Sequence, residues 1–169
     1  MLDEDSNLDV LIDVDDERWL EWYTPDQWHL LLHKIIQQVL NQVGFAAKTE
    51  VSILLTNDGE VHKLNKQFRN IDKPTNVLSF PNLTESELRA THKNTPYPIM
   101  LGDLALAFET LLSESLVTKK NFLDHFNHLV VHGMLHLLGY DHETDNDADC
   151  MKEKEIVILK NLNVNNPYQ

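Results

Sequence analysis

Three histidines within a segment of eleven residues, HGMLHLLGYDH, have the spacing of a metal site. His132 and His136 are four residues apart, so a helix would place both imidazoles on one face, about 6 Å apart. Gly139 stands where a left-handed residue can end a helix and turn the chain back, which would bring His142 to the same point. Three neutral imidazoles with an open fourth position are typical of a catalytic zinc that holds a water. We therefore predict one Zn²⁺ per chain.

The same spacing, H-x-x-x-H-x-x-G-x-x-H, is the ligand frame of the metzincin proteases. Those enzymes carry a general-base glutamate directly after the first histidine, whereas this chain has Gly133 there. A zinc peptidase-like hydrolase is therefore one alternative, and it would need a base from elsewhere. Cys150 is the single cysteine, so a metal site in this chain must use histidine and carboxylate ligands.

Strands and helices alternate along the chain, which predicts an α+β fold with a mixed sheet of about four strands packed with about five helices. The three-histidine site would lie at the end of a long helix. Thr24, Pro25 and Gly44 have the residue types of a helix N-cap, first turn and C-terminal stop. The predicted strands are 10–14, 50–56, 76–80 and 99–108; the clearest helices are 25–43, 60–68, 118–138 and 145–162, and 82–98 is predicted to be a surface loop.

Length and composition indicate a folded globular protein. The chain has 169 residues, 42% hydrophobic and 24% charged, with 5 Gly and 6 Pro, which excludes collagenous and disordered classes. We expect residues 1–169 to form a single domain, with 1–8 as a frayed acidic start. The sequence contains no apolar run near the roughly 18 residues of a membrane span and no cationic leader, so we expect a cytoplasmic protein with no membrane partner.

The formal net charge of −13 argues against a nucleic-acid partner, but its distribution weakens that argument. Acidic residues concentrate in 1–21 and 141–160, and the stretch between is close to neutral. A local basic cluster remains there, composed of Lys63, Lys66, Arg69 and Lys73. Charge alone leaves two interpretations open, a solvated helix face and a contact surface for phosphate groups.

Three blocks of sequence together resemble the YbeY family of bacterial rRNA-maturation factors. They are the histidine segment, the run LNKQFR (64–69) followed by DKPTNVLSFP (72–81), and LGD (101–103), in the order found in the family. The resemblance implies a zinc-dependent, single-strand-specific endoribonuclease that acts in 3′-end maturation of small-subunit (16S) rRNA and in ribosome quality control. It also implies single-stranded RNA, rRNA and the ribosome or its small subunit as partners.

Carried over by position, the resemblance makes His132, His136 and His142 the zinc ligands and Arg69 the catalytic arginine. Many family members have Asp where this chain has Asn76, so no carboxylate role can be transferred to that position. The mechanism that we expect is zinc chemistry on an RNA phosphodiester, in which Arg69 stabilises the charge of the transition state. Asp141 is open to two interpretations, a residue that acts at the site and an acidic surface residue.

A third alternative is a non-catalytic ribosome-assembly factor with a structural zinc.

Two further groups of residues receive structural interpretations. The aromatic residues Trp19, Trp22, Tyr23 and Trp28 are expected to anchor the core rather than to stack on bases. The histidines outside the motif, His125 and His128 together with His29, His33, His62 and His92, are expected to be helix-surface residues.

Overall fold

The computed structural model describes residues 6–91 and 95–169, in which four strands form one mixed sheet with the order β1-β2-β4-β3. The strands are β1 (Leu8–Val14), β2 (Thr49–Thr56), β3 (Val77–Pro81) and β4 (Ile99–Ala107). β1, β2 and β4 run parallel, whereas β3 pairs antiparallel with β4. Within these two ranges β3 pairs only with β4, so no described strand covers its other, free edge.

Six α-helices and one short 3₁₀ turn accompany the sheet in the described residues. The turn is Glu17–Glu21, and the helices are α1 (Pro25–Val43), α2 (Asp58–Arg69), α3 (Glu85–Ala90), α4 (Phe108–Val117), α5 (Phe122–Leu137) and α6 (Asp145–Asn161). The predicted α+β class and four-stranded mixed sheet are confirmed. No helix in the described part of the chain is long and apolar enough to cross a membrane.

Helix α5 occupies the centre of the molecule. It packs on β3 and β4 and contacts α1, α4 and α6. Beside it, Trp19 and Trp28 are fully buried, and both rings contact Phe126 of α5. The indole nitrogens remain satisfied in this apolar environment, since Trp19 Nε1 donates to Thr56 O (2.8 Å) and Trp28 Nε1 to Trp19 O (2.9 Å). These two tryptophans therefore anchor the core, as predicted.

Several predicted boundaries differ from the structure. Strand β4 ends at Ala107 and α4 follows at Phe108, where a continuous strand through 108 was predicted. No glycine or proline marks this change, and both sides are apolar, so periodicity could not locate it. Helix α5 begins only at Phe122, where the Asn121 side chain accepts a hydrogen bond from the Leu123 amide.

Two segments predicted to lack regular structure do contain it. Helix α3 lies within the predicted 82–98 loop, and Thr84 begins it with a capping box that includes Glu87. Strand β1 begins at Leu8, which is 3% exposed and pairs with Thr49, so the predicted frayed start does not extend to this residue. Residues 1–5 lie outside the described residues. That residues 1–169 form a single domain stays a prediction.

Gly133 allows α5 to lie close to the sheet. A Cβ atom at this position would lie 2.8 Å from Leu104 Cδ2 and 3.2 Å from Ser79 Oγ. Its carbonyl accepts a hydrogen bond from that hydroxyl (3.3 Å). The residue that replaces the metzincin glutamate therefore faces buried side chains of β3 and β4.

Gly133→Ala is expected to lower the free energy of unfolding by about 1–2 kcal/mol, because the overpacking penalty exceeds the gain of about 1 kcal/mol in helix propensity. The measurement is urea denaturation. Gly59→Ala, in the first turn of α2, is the control and should cost less, because its Cβ would meet only Asn57 Oδ1, at 3.3 Å. A Gly133→Ala protein at least as stable as the wild type would contradict the close approach.

Candidate metal centre and active-site cleft

The end of α5 brings the three predicted histidines together. His132 and His136 lie on the last two turns of the helix, and Gly139 follows with a left-handed backbone (φ 91°). The chain then turns so that the His142 ring lies 5.7 Å from that of His132 and 5.1 Å from that of His136, between centroids. The ligand atoms of all three residues lie within 4.8 Å of one another, so the predicted cluster is confirmed as one that could hold a metal ion.

Two of the imidazoles are oriented by acceptors on their outer nitrogens. His132 Nδ1 lies 2.6 Å from Glu155 Oε1, and His136 Nδ1 lies 2.9 Å from Tyr140 O. A carbonyl and an ionised carboxylate can only accept, so each Nδ1 carries the proton and donates it. In the neutral rings, each Nε2 therefore presents an unprotonated lone pair to the centre of the cluster.

This donor set fits a metal ion. The Nε2 atoms of His132 and His136 are 3.1 Å apart. Two lone pairs at that distance repel each other unless a cation lies between them. For a tetrahedral zinc with Zn–N bonds of 2.0–2.1 Å, adjacent nitrogens are about 3.3 Å apart, close to the separation in this structure. The separation of these two nitrogens is thus compatible with a metal ion that both would bind.

Glu155 of α6 supplies a buried negative charge behind the cluster. Its side chain is 0% exposed. Burial alone would raise its pKa, but contacts with His128, His132 and Tyr168 lower the pKa to about 2. The carboxylate is therefore ionised at neutral pH, and it holds the His132 ring through Nδ1.

The electrostatic environment also keeps His136 neutral. Burial, followed by the positive charge that His132 would carry, lowers the pKa of His136 to about 4, and His142 and Arg69 act in the same direction. A metal ligand must be deprotonated, and this ring meets that condition at pH 7.

The histidines lie in an open cleft of about 520 Å³. Arg69, Lys73 and Asn76 line it, together with the free edge of β3. Arg69, the last residue of α2, donates to Ser79 O on that edge, and its Cζ lies 5.8 Å from the Phe80 ring centroid. The structure thus brings the predicted arginine into the same cleft as the predicted ligands.

Comparison with known proteins agrees with this geometry. Residues 13–163 match the family model described as endoribonuclease YbeY. This chain belongs to the YbeY family. An endoribonuclease YbeY of Acinetobacter baumannii is 48% identical over 139 residues, which cover 82% of this chain and 85% of the relative. One from Bartonella bacilliformis is 42% identical over 149 residues, 88% of this chain and 90% of the relative.

A solved structure also has a similar fold. The solution structure of a Thermotoga maritima protein superposes with a TM-score of 0.56 at 26% identity, covering 90% of this chain and 87% of that one. The likeness extends over most of both chains, so the arrangement of sheet and helices is shared.

At position 76 this chain has Asn, whereas many members of the YbeY family have Asp. Its Nδ2 donates toward both carboxylate oxygens of Glu114 at 3.1 Å, and its Oδ1 accepts from the Val77 amide (2.7 Å). An aspartate in the same place would put two carboxylates in contact. The side-chain amide of Asn76 therefore supplies a hydrogen-bond donor to the Glu114 carboxylate, which an aspartate could not do.

The prediction that His125 and His128 are surface residues is wrong. His125 is 8% exposed and its Nε2 lies 2.6 Å from Glu114 Oε2, while the His128 side chain is mostly buried and near Glu155. The physical reason is that α4 and α6 cover this part of α5. The other histidines outside the motif differ: His29 and His33 are half-buried on α1, His62 pairs with Asp72 on α2, and His92 lies outside the described residues.

Sequence reasoning missed Glu155 and Tyr168. Glu155 follows the buried Met151 by four residues and precedes the buried Ile158 by three, so it occupies a core position of α6. An acidic residue in an apolar stripe was a signal that could have been noticed. Tyr168 lies near Glu155 only through folding, and the sequence carries no signal of that contact.

The basic cluster is divided by its ion pairs. Lys63 pairs with Glu60 (2.6 Å) and Lys66 lies 3.5 Å from Asp72, whereas Arg69 and Lys73 line the cleft.

Asp141 also lines the cleft, and its Oδ1 accepts from the Glu143 amide (3.2 Å). Both interpretations of Asp141 thus remain compatible with its position.

Zinc addition should stabilise the wild-type protein by about 2.7 kcal/mol when free zinc exceeds the dissociation constant a hundredfold. The measurement is the thermal unfolding midpoint with and without zinc, with metal content determined on the same samples. His136→Ala should abolish both the stabilisation and the bound metal. His29→Ala, a histidine on α1 outside the cluster, should retain both, and loss of zinc from this control would contradict the assignment.

Proposed function

We propose that this chain is a zinc-dependent endoribonuclease that cleaves single-stranded RNA, acting in 3′-end maturation of small-subunit rRNA and in ribosome quality control. The convergence of three imidazole nitrogens on one point of a cleft that also contains Arg69 carries this proposal. Membership of the YbeY family and the names of the relatives support the reaction class.

Zinc is the metal that we propose for this site. Imidazole nitrogens suit zinc, whereas magnesium and calcium prefer oxygen ligands. Three ligands leave a fourth position open, as in catalytic zinc sites. When bound there, zinc would polarise a phosphoryl oxygen and lower the pKa of its water to about 7.

The protein residues would hold and orient the reacting groups. Glu155 and the Tyr140 carbonyl fix two ligand rings through their Nδ1–H groups, so that both Nε2 atoms face one point. Arg69 is always charged, and its planar guanidinium suits bidentate binding of a phosphate. One of its N–H groups is held by Ser79 O, which orients the remaining donors. Arg69 would therefore bind the scissile phosphate and stabilise the charge that develops on it.

Charge within the cleft is compatible with an anionic substrate although the whole chain is acidic. Arg69 and Lys73 line the cleft, and a bound divalent ion would add to them. Among the described residues that line it, Asp141 contributes the one carboxylate. The local balance, rather than the net charge of −13, would determine whether a phosphodiester binds.

An exposed aromatic residue supports the preference for single strands. Phe68 is 62% exposed and directly precedes Arg69 at the end of α2. Its ring meets that of Phe80 edge to face, with centroids 5.6 Å apart. Unpaired bases stack on such rings, whereas the bases of a duplex are already stacked and paired. Phe68 would therefore favour a strand whose bases are free.

The peptidase-like alternative is less well supported. A metzincin would need a glutamate where Gly133 packs against Leu104, and there is no room for one. Asp141 would then have to act as the base. The assembly-factor alternative requires a structural zinc, which usually has four protein ligands, whereas the described residues supply a group of three.

We further propose that the substrate is presented by the ribosome or its small subunit, in the cytoplasm. A small basic surface on a chain with a net charge of −13 predicts weak, salt-sensitive binding to free RNA. A ribosomal context would supply the missing affinity and the choice of bond.

Arg69→Lys is expected to reduce the cleavage rate of single-stranded RNA at least about a hundredfold, because a point charge cannot replace the bidentate guanidinium at the developing charge. The measurement is single-turnover cleavage of a labelled RNA that contains the 3′ region of small-subunit rRNA, with and without ribosomes. Zinc content and the unfolding midpoint should not change.

Arg89→Lys, on the exposed surface of α3, is the matched control and should cleave at the wild-type rate. Full activity in Arg69→Lys would contradict the role of Arg69. Absence of cleavage by zinc-loaded wild type under both conditions would contradict the endoribonuclease assignment.

A further inference from the structure

The segment that follows α6 lies behind the metal cluster. Val164 packs into the core, and the carbonyl of Pro167 accepts a hydrogen bond from the Lys120 side chain. These contacts bring Tyr168 to Glu155, where its hydroxyl donates to Oε2. Residue 168 lies beyond the 13–163 region that matches the family, so the family pattern assigns it no role.

The two oxygens of Glu155 have different donors. Oε1 accepts from His132 Nδ1 at 2.6 Å, whereas Oε2 accepts from Tyr168. His128 Nε2 is farther away, 3.6 Å from Oε2, so Tyr168 is the nearer donor to this oxygen. A fully buried carboxylate oxygen without a donor is costly. The Tyr168 hydroxyl therefore completes the set of donors that keeps Glu155 in place.

Other contacts hold the Tyr168 ring in this orientation. Lys152 Nζ lies 5.3 Å from its centroid, and the His128 ring meets it edge to face at 5.5 Å. The Tyr168 amide donates to Asn166 Oδ1 (2.9 Å). Although 45% of the residue is exposed, its hydroxyl reaches a carboxylate that is not exposed at all.

We propose that Tyr168 is a positioning residue of the metal centre, acting through Glu155 to hold His132 in the orientation that presents Nε2 to the ion. This inference rests on the metal centre of the proposed function and does not depend on which bond is cleaved. Partners of metal-bound histidines typically change metal affinity 10–100-fold when removed. Tyr168 acts one residue further out, so the lower end of that range applies.

The test is the zinc dissociation constant of Tyr168→Phe, measured by competition with a chromophoric chelator. We expect it to rise about tenfold. Tyr97→Phe is the matched control, since this exposed tyrosine is not among the residues that line the cleft, and its affinity should equal that of the wild type. The unfolding midpoint of each metal-free variant identifies any loss of fold.

A double-mutant cycle separates positioning from general packing. In a Glu155→Leu background, which offers no hydrogen-bond acceptor, Tyr168→Phe should cause no further loss of zinc affinity, because the group through which it acts is gone. In metal-free wild type, the ¹⁵N-edited NMR signal of His132 Nδ1–H should be observable, and Tyr168→Phe should shift it.

These experiments distinguish failure of the positioning role of Tyr168 from failure of the metal centre. An unchanged zinc affinity in Tyr168→Phe, or effects that add fully in the cycle, would overturn the positioning role while leaving the metal centre intact. A wild-type protein that binds no zinc would overturn the metal centre and, with it, this inference. Neither result depends on RNA cleavage.

Discussion

The active-site arrangement depends on the hydrogen bond between His132 Nδ1 and the buried carboxylate of Glu155. This bond fixes the tautomer and the direction of the ring, so that Nε2 faces its counterpart on His136 at 3.1 Å. A negative charge in the interior is unfavourable by itself. It becomes favourable here because histidine and tyrosine donors surround it and because a divalent cation would lie beyond the ring. The ligand cluster and its carboxylate are therefore a single electrostatic unit.

The fold brings the parts of this unit together from distant regions of the sequence. α5 contributes two of the three histidines, the turn at Gly139 leads to the third, and α6 contributes the carboxylate. Because Gly133 has no side chain, α5 approaches the sheet at β3, whose free edge forms the wall of the cleft. Arg69 reaches that edge from α2. Close packing of one helix thus places the three histidines and Arg69 in the same cleft.

Local signals in the sequence predicted those features that depend on neighbouring residues. The N-cap Thr24 and the left-handed Gly44 define α1 in both sequence and structure. The i,i+4 histidines and Gly139 likewise indicated the metal cluster, since helix geometry alone aligns them. The boundary between β4 and α4 could not be predicted, because apolar residues continue through Ala107 and Phe108 without a break.

Features that depend on contacts between distant residues were not predictable in this way. Glu155 is 23 residues from His132, and Tyr168 reaches it only because the segment after α6 folds back. The burial of His125 similarly follows from the packing of α4 and α6 around α5 rather than from its own neighbours. The sequence therefore indicated the three-histidine cluster, whereas the groups that orient its rings became visible only in three dimensions.

The proposed site requires that one imidazole nitrogen from each of the three histidines bind a single metal ion and that its fourth position stay open. The most direct test is a crystal structure of the zinc-loaded protein with anomalous scattering recorded at the zinc edge. We predict a single site about 2.0–2.1 Å from Nε2 of His132, Nε2 of His136 and a ring nitrogen of His142, with His132 Nδ1 still bound to Glu155 and no fourth protein ligand. A zinc at another place, ligation through Nδ1 of His132 or His136, or a fourth protein ligand would contradict this prediction.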